Sequence, residues 1–225
     1  MTRDISVFDI IGPIMVGPSS SHTAGAVRLG QVGRAILGRQ PTNALIELHG
    51  SFAQTGKGHG TDRGLVAGLL GLATDDPMLR QSFELAELAG LSFRFEETDL
   101  GEDAHPNTAR LTVSDGERTV QVTGVSIGGG LVEITNVDGY DVSFGCEYDT
   151  LLVLAEDRPG TISEVTGWLA RQGINIAFLR VERQKRGGDA IMIIETDHTV
   201  DPLILEAFED YLWVRWARQV PKVDV

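Results

Sequence analysis

The stretch that most limits the fold is the last third of the chain, where strand-like and helix-like patterns succeed each other in a fixed order. It reads strand (Thr150 to Ala155), helix (Thr161 to Arg171), strand (Asn175 to Arg183), strand (Ala190 to Glu195), helix (Pro202 to Phe208) and strand (Leu212 to Ala217). Each junction has a local cause. Gly173 stops the first helix, Gly187-Gly188 permits a hairpin, and Asp201-Pro202 supplies a cap and a first helical residue for the second helix. The order is βαββαβ.

The grammar changes near Gly145 to Asp149, which divides the chain into residues 1–147 and 148–225. In the first part Thr23 to Gly38 reads as a helix. Gly25, Gly30 and Gly33 weaken it but would let another backbone pack close. Ala44 to Leu48 reads as a strand and Thr61 to Ala73 as a helix, and Asp76-Pro77 opens another helix that Gly90 stops. Strand-like runs follow at Leu91 to Phe95, Thr108 to Val113, Arg118 to Thr123, Leu131 to Thr135 and Tyr140 to Phe144. Asp115-Gly116 and Asp138-Gly139 are hairpin turns. Helices ahead of strands predict an α+β class.

A formal charge of -13 opposes extended contact with nucleic acid phosphates or anionic lipid, so partners are expected to be proteins and small molecules. No apolar run approaches the ~20 residues of a membrane span. Met1-Thr2-Arg3-Asp4 lacks the layout of a signal peptide, which predicts a cytoplasmic chain. The single cysteine, Cys146, can form no internal disulfide and cannot alone supply the thiolates of a metal cluster, so no metal ligands are assigned to this chain. Lys57, Lys185 and Lys222 are the only lysines, which restricts any Schiff-base chemistry.

Four segments could carry chemistry. Gly17-Pro18-Ser19-Ser20-Ser21-His22-Thr23 sets hydroxyls and a histidine directly before a helix: either an elaborate N-cap or a seat for a carboxylate or phosphate. His49 to Asp62 (HGSFAQTGKGHGTD) reads as a glycine-rich loop between a strand and a helix. It is no Walker loop, because five residues separate Gly50 from Gly56 and Gly58 follows Lys57. It presents Lys57 and His59, with Thr61 and Asp62 placed to cap the next helix. His59, between two glycines, is the leading general base. His105-Pro106-Asn107-Thr108 enters a strand, and Asn107 could orient a carboxylate or amine, but His-Pro often marks only an extended entry. Gly128-Gly129-Gly130 is a close-approach loop beside a ligand or only a strand bend, and His49 and His198 read as structural. Lastly, Glu156 to Thr161 is a turn whose Asp157 and Gly160 could pair with Asn175 around a small ligand's ammonium and carboxylate.

Ser6-Val7-Phe8-Asp9, the serine motif at 17–23, Gly-Lys-Gly-His-Gly-Thr-Asp at 56–62 and His-Pro-Asn-Thr at 105–108 occur in order. Together they resemble the beta chain of bacterial iron-sulfur L-serine dehydratase. Asp157 to Gly160 followed by Asn175 resembles an ACT domain, a small-molecule regulatory module. The resemblance implies an N-terminal α/β serine dehydratase beta-type domain followed by a ferredoxin-like ACT domain. It implies that L-serine loses water to an aminoacrylate that hydrolyses to pyruvate and ammonia. It also implies a 4Fe-4S cluster held by cysteines of an alpha subunit, and self-association through the ACT domain. On that picture Ser19, Ser20, Ser21 and Thr23 hold the carboxylate, with Lys57, Thr61 and Asn107 also at the substrate. His59 is the base, His22 orients substrate or carries a proton, and Asp157, Gly160 and Asn175 take the regulatory ligand. One rival is a non-catalytic amino-acid sensor built on the ACT domain. Another is a pyridoxal phosphate lyase using Lys57, although the loop lacks the pattern that chemistry requires. Serine and threonine remain open as substrates, since one methyl is worth only about 1–3 kcal/mol in a pocket.

Overall fold

The first sheet follows from alternation at period two. In the computed structural model, which describes residues 13–222, strands β1 (Asn43–Leu48), β2 (Ser92–Glu97), β3 (Thr108–Ser114), β4 (Thr119–Gly128) and β5 (Leu131–Val137) belong to it. Ser6-Val7-Phe8-Asp9 and the N-terminal tetrapeptide lie outside the described residues. Ala109, Leu111 and Val113 of β3 are buried with Val120 and Val122 of β4 and Val132 and Ile134 of β5, so the apolar half of each strand faces one core. Strands β3, β4 and β5 run as an antiparallel meander, with the predicted Asp115-Gly116 turn between the first two.

β1 pairs antiparallel with β3 but parallel with β2. A parallel pair needs a crossover, and residues 49–91 supply one made of helices. These are α2 (Gly50–His59), α3 (Thr61–Leu70), a 3₁₀ turn (Pro77–Gln81) and α4 (Ser82–Leu88). Asp76 caps the 3₁₀ turn as predicted, its Oδ1 accepting from Met78 N at 2.8 Å. Ahead of β1, α1 (Gly25–Leu37) lies on β3 and β4 with α3 alongside. The glycines that weaken these helices also let them touch. A Cβ on Gly30 would stand 2.9 Å from Gly68 Cα, and one on Gly64 2.9 Å from the Thr23 carbonyl.

The structure corrects the reading of residues 49–62 as a loop: most of them form α2. Local propensity is overridden because Phe52 is wholly buried and pins the segment, while Gly56 sits close over Thr61, where a Cβ would stand 3.3 Å from Thr61 Cβ. The capping roles of Thr61 and Asp62 are also corrected. Gly60, left-handed at φ 73°, is the residue before α3, with no side-chain cap. Thr61 is the buried first residue of that helix, and Asp62 accepts from the neighbouring Arg63 N at 2.8 Å.

Contacts gather the described residues into two compact units, 13–138 and 139–222. The second contains β6 (Tyr140–Gly145), β7 (Asp149–Glu156), α5 (Thr161–Arg171), β8 (Ile176–Arg183), β9 (Asp189–Thr196), α6 (Pro202–Glu209) and β10 (Val214–Val220). The last six form the predicted βαββαβ unit, with the antiparallel sheet order β10-β7-β9-β8. Leu151, Val153, Met192 and Ile194 of the sheet pack with Val165 and Leu169 of α5 and Ile204 and Phe208 of α6. Asp201 caps α6, accepting from Leu203 N at 2.9 Å, with Pro202 in the first turn. The class is α+β.

Candidate active site

The serine motif builds a helix start of unusual width. Ser19 is extended (φ -144°) and its hydroxyl accepts from His22 N at 3.1 Å, which satisfies one orphan donor of the helix. Its carbonyl accepts from Thr23 N at 2.8 Å and Ala24 N at 3.4 Å, so Ser20–Ala24 form a π turn leading into α1. The backbone N–H groups of Ser20 and Ser21 precede any intrahelical acceptor. They stand with the half-buried Ser20 hydroxyl at the positive end of the helix.

α2 brings the second segment against this turn. His22 Nε2 lies 3.0 Å from Ser51 Oγ, and its Nδ1 lies 3.1 Å from Ser21 Oγ. Phe52 meets the His22 ring edge-on at 5.3 Å between centroids. Thr23, itself buried, donates to the His59 carbonyl at 2.7 Å. The rings of His22 and His59 are thereby 5.1 Å apart. Burial, and secondarily the electrostatic influence of His59, hold the pKa of His22 below the ordinary histidine value, so His22 is neutral near pH 7. His59 is exposed, its Nδ1 3.1 Å from the Thr55 carbonyl.

The third segment joins the same place. Pro106 accepts from Phe52 N at 3.3 Å, and Gly50 takes φ 55° directly over it, where a Cβ would stand 2.8 Å from Pro106 Cα. Asn107 Nδ2 donates to the Ser126 carbonyl at 3.3 Å. The structure thus gathers Ser19, Ser20, Ser21, His22, Thr23, His59 and Asn107 around the carboxyl end of β1. Lys57 is exposed on α2, and the Thr61 hydroxyl is buried with no hydrogen bond. A cavity of about 410 Å³ adjoins Thr23, bounded also by Gly17, Pro18, Gly60, Arg63 and Arg80.

Four residues of this region escape a reading of the sequence. Ser51 and Thr55 touch at 3.3 Å through their hydroxyls, an i, i+4 pair hidden while the segment reads as a loop. Ser126 is wholly buried beside Gly25, its Oγ without a hydrogen bond. Arg28 is a buried cation inside α1, donating to the Gly130 carbonyl at 2.5 Å; the periodicity of α1 shows the buried position but not its use. Of Gly128-Gly129-Gly130, all at positive φ in the turn between β4 and β5, only Gly130 is closely approached, a Cβ there standing 2.8 Å from Pro13 Cδ, while one on Gly128 would meet nothing within 4 Å.

In the second unit Asp157 closes the end of β7. Hydrogen bonds from Arg183 (2.9 Å) and Gly187 N (3.1 Å) hold its carboxyl below the usual carboxylate range. It borders a cleft of about 530 Å³ with Glu156, Arg158, Lys185, Asp189 and Arg215. The pairing of Gly160 with Asn175 is corrected. β8 runs parallel to β7, so Asn175, which opens β8, stands at the Asp149 end of the sheet. Gly160 lies just past Glu156, roughly 23 Å away at about 3.3 Å per residue. Asn175 bonds Asp197 Oδ2 instead, at 2.7 Å.

Cys146 is a buried thiol, and among the described residues no three His, Cys, Asp or Glu side chains gather as metal ligands. An iron-sulfur cluster therefore does not fit this chain's own donor set. Among the described residues no helix is long and apolar enough to cross a membrane.

Comparison with known proteins agrees with this division. Residues 6–88 match the family model of the serine dehydratase beta chain, and residues 150–212 match the ACT domain. The chain is 44% identical to the probable L-serine dehydratase beta chain of Bacillus subtilis over 89% of this chain and 91% of that one. It is 43% identical to the L-serine dehydratase beta chain of Peptoniphilus asaccharolyticus over 86% and 88%. It also matches L-serine dehydratase 2 of Escherichia coli at 32% identity, over 57% of this chain but only 33% of that longer one. On these matches, and on an N-terminal unit that gathers the family's motifs ahead of an ACT fold, the chain belongs to the serine dehydratase beta-chain family.

Proposed function

We propose that this chain is the beta subunit of an L-serine dehydratase and works with an alpha subunit to convert L-serine to pyruvate and ammonia. The observation that carries the reading is the convergence of the serine turn, the two histidines and Asn107 at one strand end. The free N–H groups of Ser20 and Ser21, with the serine hydroxyls, suit a carboxylate at the positive helix end. His59 Nε2 would take the α-proton as the hydroxyl leaves Cβ, giving the aminoacrylate that hydrolyses. Departure of the hydroxyl falls to groups outside this chain.

The partner is argued from what is missing here. A 4Fe-4S cluster would have its cysteines on the alpha subunit, because this chain offers one buried thiol. The Escherichia coli relative supports this, since the matching part makes up only a third of its length. Self-association through the ACT unit has a candidate surface in edge strand β8, where Phe178, Leu179 and Val181 are exposed. The relatives' names do not favour the sensor reading.

Co-expression with a cysteine-rich alpha chain, followed by pyruvate release from L-serine, tests the proposal. The wild-type pair should turn over, and His59→Ala should lose about 10²-fold or more while retaining its iron. A pair inert on serine would remove the function; near-normal turnover by the variant would remove His59 as base.

A further inference from the structure

The hydroxyl protons at the candidate site bear on the tautomers of both histidines. Thr55 Oγ1 donates to the Ser51 carbonyl at 2.9 Å, which spends its single proton. In the 3.3 Å contact between the two side chains Thr55 can then only accept, so a hydrogen bond there takes the Ser51 proton. Ser51 is left with lone pairs alone for His22 Nε2, 3.0 Å away, so Nε2 carries the hydrogen. Neutral His22 then has a bare Nδ1, which accepts from Ser21 at 3.1 Å. Ser21, its proton spent, accepts from Ser19 at 3.3 Å, and Ser19 accepts the His22 backbone N–H at 3.1 Å. At His59 the neighbour of Nδ1 is the Thr55 carbonyl, which can only accept, so Nδ1 carries the hydrogen and the lone pair sits on Nε2.

We propose that Ser51 and Thr55 are positioning residues that hold His22 as a hydrogen-bond donor and leave the basic lone pair of the pair on His59 Nε2. The same residue, Thr55, serves both rings: its hydroxyl sets the direction at His22 through Ser51, and its carbonyl sets His59. The catalytic meaning rests on the function proposed above, whereas the tautomers do not. His22 keeps its orientation at the foot of the serine turn, and the exposed ring alone faces the proton to be removed.

Long-range ¹H–¹⁵N correlation spectra of the full chain, labelled in histidine and recorded above the histidine pKa values, read the tautomers directly. His22 should be the Nε2–H form and His59 the Nδ1–H form, the minor tautomer of free imidazole side chains. Thr55→Val removes the acceptor that orients Ser51 and should raise the Nδ1–H population of His22 several-fold. Thr55→Ser should restore the wild-type pattern, which a packing role for the lost methyl would not. Wild-type His59 as Nε2–H, or a His22 tautomer indifferent to Thr55→Val, would overturn the proposal, and the wild-type spectrum decides even if the valine variant fails to fold. In the two-chain enzyme Thr55→Val should lower kcat and shift its pH profile, with Thr55→Ser near normal; an unmoved profile also counts against it. Correct tautomers in a pair inert on serine would instead sink the function and leave the positioning role standing.

Discussion

Replacing Gly58 and Gly60 one at a time separates a helix at 50–59 from a glycine-rich loop. Gly58 lies next to last in α2, without positive φ, and a Cβ there would meet nothing within 4 Å. Alanine in a helix interior is favoured over glycine by about 1 kcal/mol, roughly halved here by fraying, so Gly58→Ala should stabilise the first unit by about 0.5 kcal/mol. Gly60 at φ 73° is the junction of α2 and α3, and an L residue there costs about 1–2 kcal/mol. With a urea slope of about 2 kcal/mol/M the midpoint should rise by about 0.25 M for Gly58→Ala and fall by roughly 0.5–1 M for Gly60→Ala. The assay needs two probes. All three Trp and all three Tyr residues follow Gly139, so their fluorescence reports the second unit, while far-UV circular dichroism and hydrogen exchange of 50–70 report the first. Only the latter signals should move. A lowered midpoint for Gly58→Ala, or equal shifts for the two variants, would refute the argument that tertiary burial of Phe52 has imposed a helix on this sequence.

Other perturbations test other parts of the structure. Because folding lowers the His22 pKa, the unfolded chain binds its proton more readily; this contribution to stability is complete above the ordinary value near 6.5 and is lost as pH falls through it toward the folded value. His22→Gln should flatten the stability slope in that window, measured by urea midpoints across pH, and an unchanged slope would contradict the sign. Arg28→Ala should cost about 3 kcal/mol in the first unit, from a lost charged hydrogen bond to Gly130 and a buried cavity; a loss under about 1 kcal/mol by circular dichroism would show that the guanidinium is dispensable. Asp201→Ala should cost about 1 kcal/mol in the tryptophan-monitored transition, and no change there would argue against its capping of α6.

What the sequence makes legible is where a junction carries its own chemistry. Asp115-Gly116, Asp201-Pro202 and Gly187 each force a backbone state that few alternatives satisfy, and the strands and helices between them fall close to their predicted bounds. Residues 49–62 fail for the opposite reason. Gly56, Gly58 and Gly60 remove local preference, so the decision passes to Phe52 and to packing against a segment near Pro106, neither visible in a local window. The error at Asn175 is one of direction: a βα unit names the strand that follows but not which end of it returns to the loop, and the register alone places Asn175 a strand length from Gly160.

At the candidate site the sequence shows which groups are present but not which way their protons run. The three serines, His22 and His59 stand out by type, yet Ser51 and Thr55, ordinary residues in a supposed loop, decide which ring nitrogen is basic. Such roles depend on a contact across twenty-nine positions between His22 and Ser51, and that contact exists because α2 is helical against its own propensities. The segment where local rules fail is therefore the segment that brings Ser51, Thr55 and His59 to His22. The four glycines at 50–60 that obscure the helix let Gly50 ride on Pro106 and Gly60 turn sharply into α3. A sequence more helical by composition would carry a Cβ into Pro106 at position 50 and a strained left-handed backbone at position 60.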